Sequence, residues 1–183
     1  TRKDIETDWE GQHCFPRRDP SDETYRLSPA YRELFDKTYA FCSELVRSGE
    51  SLGGRQRRVR YWGALALLRC VMSSPAAAMT AVENRHGNLP ASEEEADFRS
   101  LIFESGEDRA DDSQPTPAVE AAEATIPQGE RRRLLELGKM AAKIAHSRDD
   151  SKLSGCINLV GGLLKKGFHP VVWCRYIATA DYV

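Results

Sequence analysis

Residues 150–183, DSKLSGCINLVGGLLKKGFHPVVWCRYIATADYV, decide the fold class of this chain. Asp150 or Ser151 can cap the start of a helix, and Gly167 is expected to end it after two lysines. Between these signals runs an apolar stripe at helical spacing, formed by Leu153, Ile157, Val160 and Leu164. The pattern predicts a helix, a tight turn, a buried strand and the start of a second helix.

The predicted strand covers residues 171–174. Pro170 opens this run, and the run contains no polar alternation, which is typical of a parallel strand covered on both faces. Arg175 follows at the carboxyl end, where ligands bind in open α/β sheets. One strand has no sheet to join within this chain. We therefore interpret the sequence as an internal piece of a larger protein.

Composition and charge indicate a globular protein with an uneven charge distribution. The 183 residues are 40% hydrophobic and carry a formal net charge of −2, which argues against a simple polycation that coats nucleic acid. Residues 55–60 are nevertheless rich in arginine, and residues 93–112 are acidic. The sequence has five cysteines without a pairing pattern, no signal peptide and no apolar run of about 20 residues. We expect a cytoplasmic protein without a membrane partner.

Helical patterns divide the chain into four segments. Residues 1–28 are predicted to be a connector, and residues 29–87 a helical subdomain whose first helix opens on a serine–proline capping signal. Residues 88–127 are predicted to be an acidic, partly disordered insertion. Residues 128–183 are predicted to hold an amphipathic helix followed by the stretch quoted above. The expected fold class is mainly α: a helical bundle-like insertion plus the first helix-strand-helix of a truncated α/β lobe.

Several short motifs recur in a particular order. A basic element, RKDI, lies at residues 2–5, and LSPAYRELFD follows at 27–36. A helix then ends in LRCVMSSP at 68–75, and SKL at 151–153 precedes GFHPVVWC at 167–174. This order resembles the middle of a Swi/Snf-type superfamily II helicase-like ATPase. Within that family, the pattern most resembles the bacterial helicases of DISARM-type phage defence. The similarity covers nearly all of the chain except about residues 88–127.

The resemblance implies a fragment that runs from the end of a first RecA-like lobe to the start of the second, the helicase C-terminal lobe. The parent protein would be an ATP-dependent DNA translocase or helicase that binds ATP and Mg²⁺. The implied partners are nucleic acid, above all double-stranded DNA, and the remaining lobes of the same motor. The sequence has no Gly-x-x-x-x-Gly-Lys-Ser/Thr phosphate cradle and no Asp-Glu-x-His motif. We therefore expect the fragment to bind no cofactor and to lack ATPase activity by itself.

The candidate nucleic-acid-binding residues are all basic: Arg55, Arg57, Arg58, Lys152 and Arg175. The three at 55–58 belong, with Arg60, Tyr61 and Trp62, to a basic-aromatic cluster. The planar fork of arginine suits phosphate. The alternative is a solvated helix face with Trp62 in the core.

Lys152 and Arg175 are candidates because of their positions. Lys152 stands at a helix start, where the helix dipole disfavours a cation, and this indicates a phosphate or acidic partner. The alternative is a solvent-exposed lysine. Arg175 at the strand end would meet nucleic acid or the opposing lobe, and its alternative is a salt bridge with a neighbour such as Asp181.

Neither a metal site nor a catalytic constellation is predicted. The histidines and cysteines lack the spacing of zinc ligands, and we expect four of the cysteines to pack as small hydrophobes: Cys42, Cys70, Cys156 and Cys174. The carboxylates at 93–112 lack the rigid support that acid–base catalysis needs. The alternative function is a helical protein–protein interaction module without enzymatic activity, in which residues 29–87 and 128–166 bind a protein.

Overall fold

The computed structural model describes residues 20–83 and 128–183. Most of the predicted connector and the acidic insertion lie outside these ranges. The described ranges form six helices: α1 (Pro29–Ser48), α2 (Gly54–Ser73), α3 (Pro75–Glu83), α4 (Gln128–Ile144), α5 (Ser151–Lys165) and α6 (Ile177–Tyr182). Helix accounts for 72% of the described residues and none of them is in a strand. The predicted mainly α class is therefore confirmed.

The two capping signals at the helix starts are confirmed. Ser28 precedes α1, and its hydroxyl accepts a hydrogen bond from the Tyr31 amide at 3.1 Å. Asp150 precedes α5, and its Oδ1 accepts from the Leu153 amide at 2.9 Å. In both cases a side-chain oxygen satisfies an amide that has no partner within the helix.

The predicted end of α5 at Gly167 is also confirmed. Gly167 has a φ of 82°, a left-handed conformation that glycine adopts at little cost. Its amide donates to the Leu164 carbonyl at 2.9 Å, and the Phe168 amide donates to the Leu163 carbonyl at 3.1 Å. These two bonds form a Schellman motif, which turns the chain away from the helix axis.

Helices α1 to α4 enclose one hydrophobic core. α1 packs on α2, α2 packs on α3, and α4 packs against both α1 and α3. The helix that starts at residue 128 therefore lies with the helices of residues 29–83, although the sequence groups it with the C-terminal segment. The largest apolar side chains of this core include Tyr31, Leu34, Leu45, Leu67, Val71, Leu134, Leu137 and Ile144.

The buried side of α2 is broader than a single helical stripe. Val59, Trp62 and Leu65 are only partly buried, whereas the fully buried positions include Ala64, Leu67 and Cys70. α2 contacts α1 on one side and α3 on another. Because two neighbours cover it, burial does not follow a single stripe.

The strand predicted at residues 171–174 is wrong. This segment has no regular secondary structure and connects α5 to α6. Val171 is 75% exposed and Trp173 is 91% exposed, so the segment is not buried either. A strand needs a neighbour whose backbone accepts and donates its hydrogen bonds, and the described ranges offer none.

α5 is the least buried of the long helices. None of its residues is fully buried, and its predicted apolar stripe is largely open, with Ile157 58% and Leu164 56% exposed. By contrast, α6 packs on α3. The C-terminal region is thus anchored at its end, while the outer side of α5 carries apolar side chains on the surface.

Candidate nucleic-acid interface and the grooves beside α5

The arginine cluster lies at the start of α2. The cap residue Gly53 makes no side-chain hydrogen bond, and the first turn holds no acidic residue. Arg57 and Arg58 are exposed there, while the side chain of Arg55 lies outside the described part of the chain. Cations are disfavoured near a helix N-terminus, where free amides attract anions. The start of α2 therefore combines two exposed arginines with a helix end that favours anions.

The rest of the cluster supports the fold. Arg60 is only 6% exposed, and its Nη1 donates a hydrogen bond to the Ser48 hydroxyl at 2.7 Å. It therefore ties the start of α2 to the end of α1. Tyr61 and Trp62 form an edge-to-face pair with ring centroids 5.1 Å apart. Tyr61 is exposed and Trp62 half-buried, so the tyrosine is the aromatic group that shares the surface with Arg57 and Arg58.

Lys152 has a partner within the chain. Its ammonium donates to the Met72 carbonyl at 2.5 Å and lies 5.8 Å from the centroid of the Tyr25 ring. Met72 is in the last turn of α2, where carbonyl groups lack a partner and the helix dipole favours a cation. Burial lowers the pKa of Lys152. The backbone of Lys152 thus belongs to the start of α5, where a cation is unfavourable, but its ammonium lies at the end of α2, where a cation is favourable.

Arg175 is exposed and follows residues 171–174. Its guanidinium carbon lies 5.9 Å from the centroid of the Tyr176 ring. Arg175 and Lys152 line one groove of about 330 Å³, which we call the polar groove. The other polar side chains of this groove are Ser73, Ser74, Asp150, Thr179 and Tyr182.

The five candidate residues do not form one site. Arg58 and Met72, which holds Lys152, are fourteen residues apart in α2. At 1.5 Å per residue, this spacing separates them by about 20 Å. The structure therefore brings together Lys152 and Arg175 at one end of α2, and leaves Arg57 and Arg58 at the other.

A polar network anchors α6 beside the polar groove. The Tyr182 hydroxyl donates to Asp150 Oδ2 at 2.5 Å and accepts from the His146 amide at 2.7 Å. Thr179 Oγ1 lies 2.8 Å from the hydroxyls of both Ser73 and Ser74. Burial and the Asp150 carboxylate raise the pKa of Tyr182 to about 12. Sequence reasoning missed this network. The helical spacing of Tyr176, Thr179 and Tyr182 is the signal that indicates their shared face.

The cysteines divide into two groups. Cys42 and Cys70 are buried in the core, as predicted, and burial raises the pKa of each thiol to about 12. Cys156 and Cys174 are only half-buried. Within residues 20–83 and 128–183, no group of three or more histidine, cysteine, aspartate or glutamate side chains is placed to hold a metal ion.

Comparison with protein-family models, with curated proteins and with solved structures gives no match. In the described part of the chain, no helix is long and apolar enough to cross a membrane.

Proposed function

We propose that this chain is the inter-lobe helical region and the start of the C-terminal lobe of a Swi/Snf-type ATP-dependent DNA translocase. The resemblance in motif order supports this function. Three of its motifs, at residues 27–36, 68–75 and 151–153, overlap the helices α1, α2 and α5 in that order. ATP and Mg²⁺ would be held by other parts of the parent protein. The role of this chain is to connect the lobes and to present a basic surface to DNA.

One observation carries the proposal: residues 171–174 are apolar and lie between two helices, and the first three of them are exposed. Val171, Val172 and Trp173 leave 75%, 47% and 91% of their surfaces in solvent. Exposed apolar patches of this kind mark surfaces that another protein element covers. In sequence order, a helix, an apolar segment and a second helix are the components of an α/β unit, whose sheet would be completed by other parts of the parent protein.

The DNA-facing surface in this proposal is the start of α2. Arg57 and Arg58 are exposed at a helix end that favours anions, and Tyr61 is 49% exposed one turn further on. Arginine binds phosphate through its planar fork. We expect Lys152 to contribute less to DNA binding, because its ammonium already donates a hydrogen bond to a carbonyl at the end of α2.

The test is binding of the chain to a fluorescently labelled DNA duplex, measured by anisotropy over a series of salt concentrations. Each phosphate contact contributes about 0.9 to the slope of log K against log salt. We expect Arg57→Ala/Arg58→Ala to lower affinity and to reduce the slope by about 1 to 2. The control Arg131→Ala/Arg132→Ala removes two exposed arginines from the start of α4, and we expect it to bind like the unaltered chain.

The same experiment separates the proposal from a helical protein–protein interaction module. The exposed apolar side chains of α5, such as Ile157 and Leu164, favour that second candidate. Equal loss of affinity in both double variants, or no salt-dependent binding at all, would leave the interaction module as the better function. DNA-stimulated ATP hydrolysis by the protein that contains this chain is the corresponding test of the motor.

A further inference from the structure

Cys156 and Cys174 share a position between two grooves. The polar groove lies on one side, and an apolar groove of about 450 Å³, which includes Ile157, Val160 and Leu164, lies on the other. Among the described residues, four line both grooves: Cys156, Val172, Cys174 and Val183. The two thiols, one on α5 and one in the segment after it, therefore border the same small region of surface.

Cys174 is the least exposed residue of the segment 171–174 that follows α5. Val171 and Trp173 are the most exposed residues of the segment, whereas Val172 and Cys174 line the grooves together with α5. Cys174 is half-buried and, like Cys156, carries a free thiol. The two cysteines thus line the same grooves from two different elements, α5 and the segment after it.

A cation lies beside this pair. Lys152 lines the polar groove together with both cysteines. A thiol must be reachable from solvent to react with a peroxide, and these two border open grooves. Cys42 and Cys70 have the opposite surroundings, since they are buried in the apolar core.

We propose that Cys156 and Cys174 form a redox-sensitive pair that a peroxide converts to a disulfide. One thiolate attacks a peroxide oxygen, the O–O bond breaks, and a sulfenic acid forms with release of water or an alcohol. The second thiol then attacks the sulfenic sulfur and releases water as the S–S bond forms. The two thiols lose two electrons and two protons, and the peroxide accepts them.

The disulfide would tether residues 171–174 to α5. It would hold Val172 and Cys174 at the apolar groove, and so restrict the segment that the proposed function places in a sheet. The inference itself does not depend on that function, because the position of the two thiols does not involve the arginine surface of α2.

The test is treatment of the reduced 183-residue chain with hydrogen peroxide, followed by alkylation and peptide mass spectrometry. We expect loss of two alkylatable thiols, a mass decrease of two hydrogen atoms, and a linked peptide pair containing residues 156 and 174 that dithiothreitol separates. Cys42 and Cys70 serve as internal references and should stay reduced. Hydrogen exchange of the amides at residues 171–174 should slow on oxidation.

The variants Cys156→Ser and Cys174→Ser are the matched controls. Each should lose the link, and the remaining thiol should accumulate as a sulfenic acid that dimedone labels. Three results overturn the inference: no oxidation at these positions, oxidation of both without a link, or a link to any other cysteine. DNA binding should be weakened by Arg57→Ala/Arg58→Ala and unchanged in the serine variants, so failure of this inference and failure of the proposed function are distinguishable.

Discussion

At the scale of the residue, the end of α2 depends on side chains from other elements. The Tyr31 hydroxyl donates to the Val71 carbonyl at 2.8 Å, and Lys152 donates to the next carbonyl. We expect Tyr31→Phe to lower the free energy of unfolding by about 1–3 kcal/mol, because it leaves a buried carbonyl without a partner. Urea denaturation measures this change.

The control for Tyr31→Phe is Tyr39→Phe on the same helix. Tyr39 is 58% exposed, and we expect a change within about 0.5 kcal/mol. Equal stability of the two variants would show that the Tyr31 hydroxyl contributes nothing beyond the packing of its ring.

At the scale of the element, the contact between α3 and α4 requires a glycine. A Cβ on Gly138 would lie 3.0 Å from Val82 Cγ1. Val82 is 4% exposed and β-branched, so its rotamer cannot easily change. We expect Gly138→Ala to destabilise the fold, because overpacking costs about 1–3 kcal/mol and the gain in helix propensity offsets only about 1 kcal/mol of that cost.

Gly161 on α5 is the matched control. A Cβ at that position meets no atom within 4 Å, so we expect Gly161→Ala to raise stability by about 0.5–1 kcal/mol. Thermal or urea unfolding of the two variants compares them directly. Stabilisation by both substitutions would contradict the close approach of α3 and α4.

At the scale of the whole molecule, stability should fall in alkaline solution. Burial raises the pKa of Cys42 and Cys70 from 9.0 to about 12, and the pKa of Tyr182 rises from 10.0 to about 12. A raised pKa in the folded state means that the folded protein holds these protons more tightly. Their contribution is complete below pH 9 and is lost as the pH rises towards about 12. Lys152, whose pKa is lowered, acts in the opposite direction.

The measurement is urea unfolding at increasing pH with a reducing agent present. Cys42→Ala removes one of the titrating thiols and should make the alkaline loss of stability smaller than in the unaltered chain. A free energy of unfolding that stayed constant above pH 9 would contradict the burial of these groups.

The sequence was sufficient where a signal is local. Ser28, Asp150 and Gly167 act on backbone groups within their own helices, so their roles follow from residue type and position. The partners of Lys152 and Arg60 are eighty and twelve residues away in the chain, and only packing brings them together. The prediction of a strand at residues 171–174 was wrong for a related reason. A strand forms only beside a neighbouring strand, and the pattern of apolar residues does not reveal whether one is present.

The anchoring of α6 has a mechanical consequence. A helix of six residues is too short to be stable alone, and this one is held by Thr179 at the α2–α3 junction and by Tyr182 at the turn between α4 and α5. Ile177, on the other side of α6 from Thr179, stays exposed. A protein element that docks on this exposed side would be linked to the helical core through α6. Movement of that element would then be transmitted to the core, and movement of the core to that element.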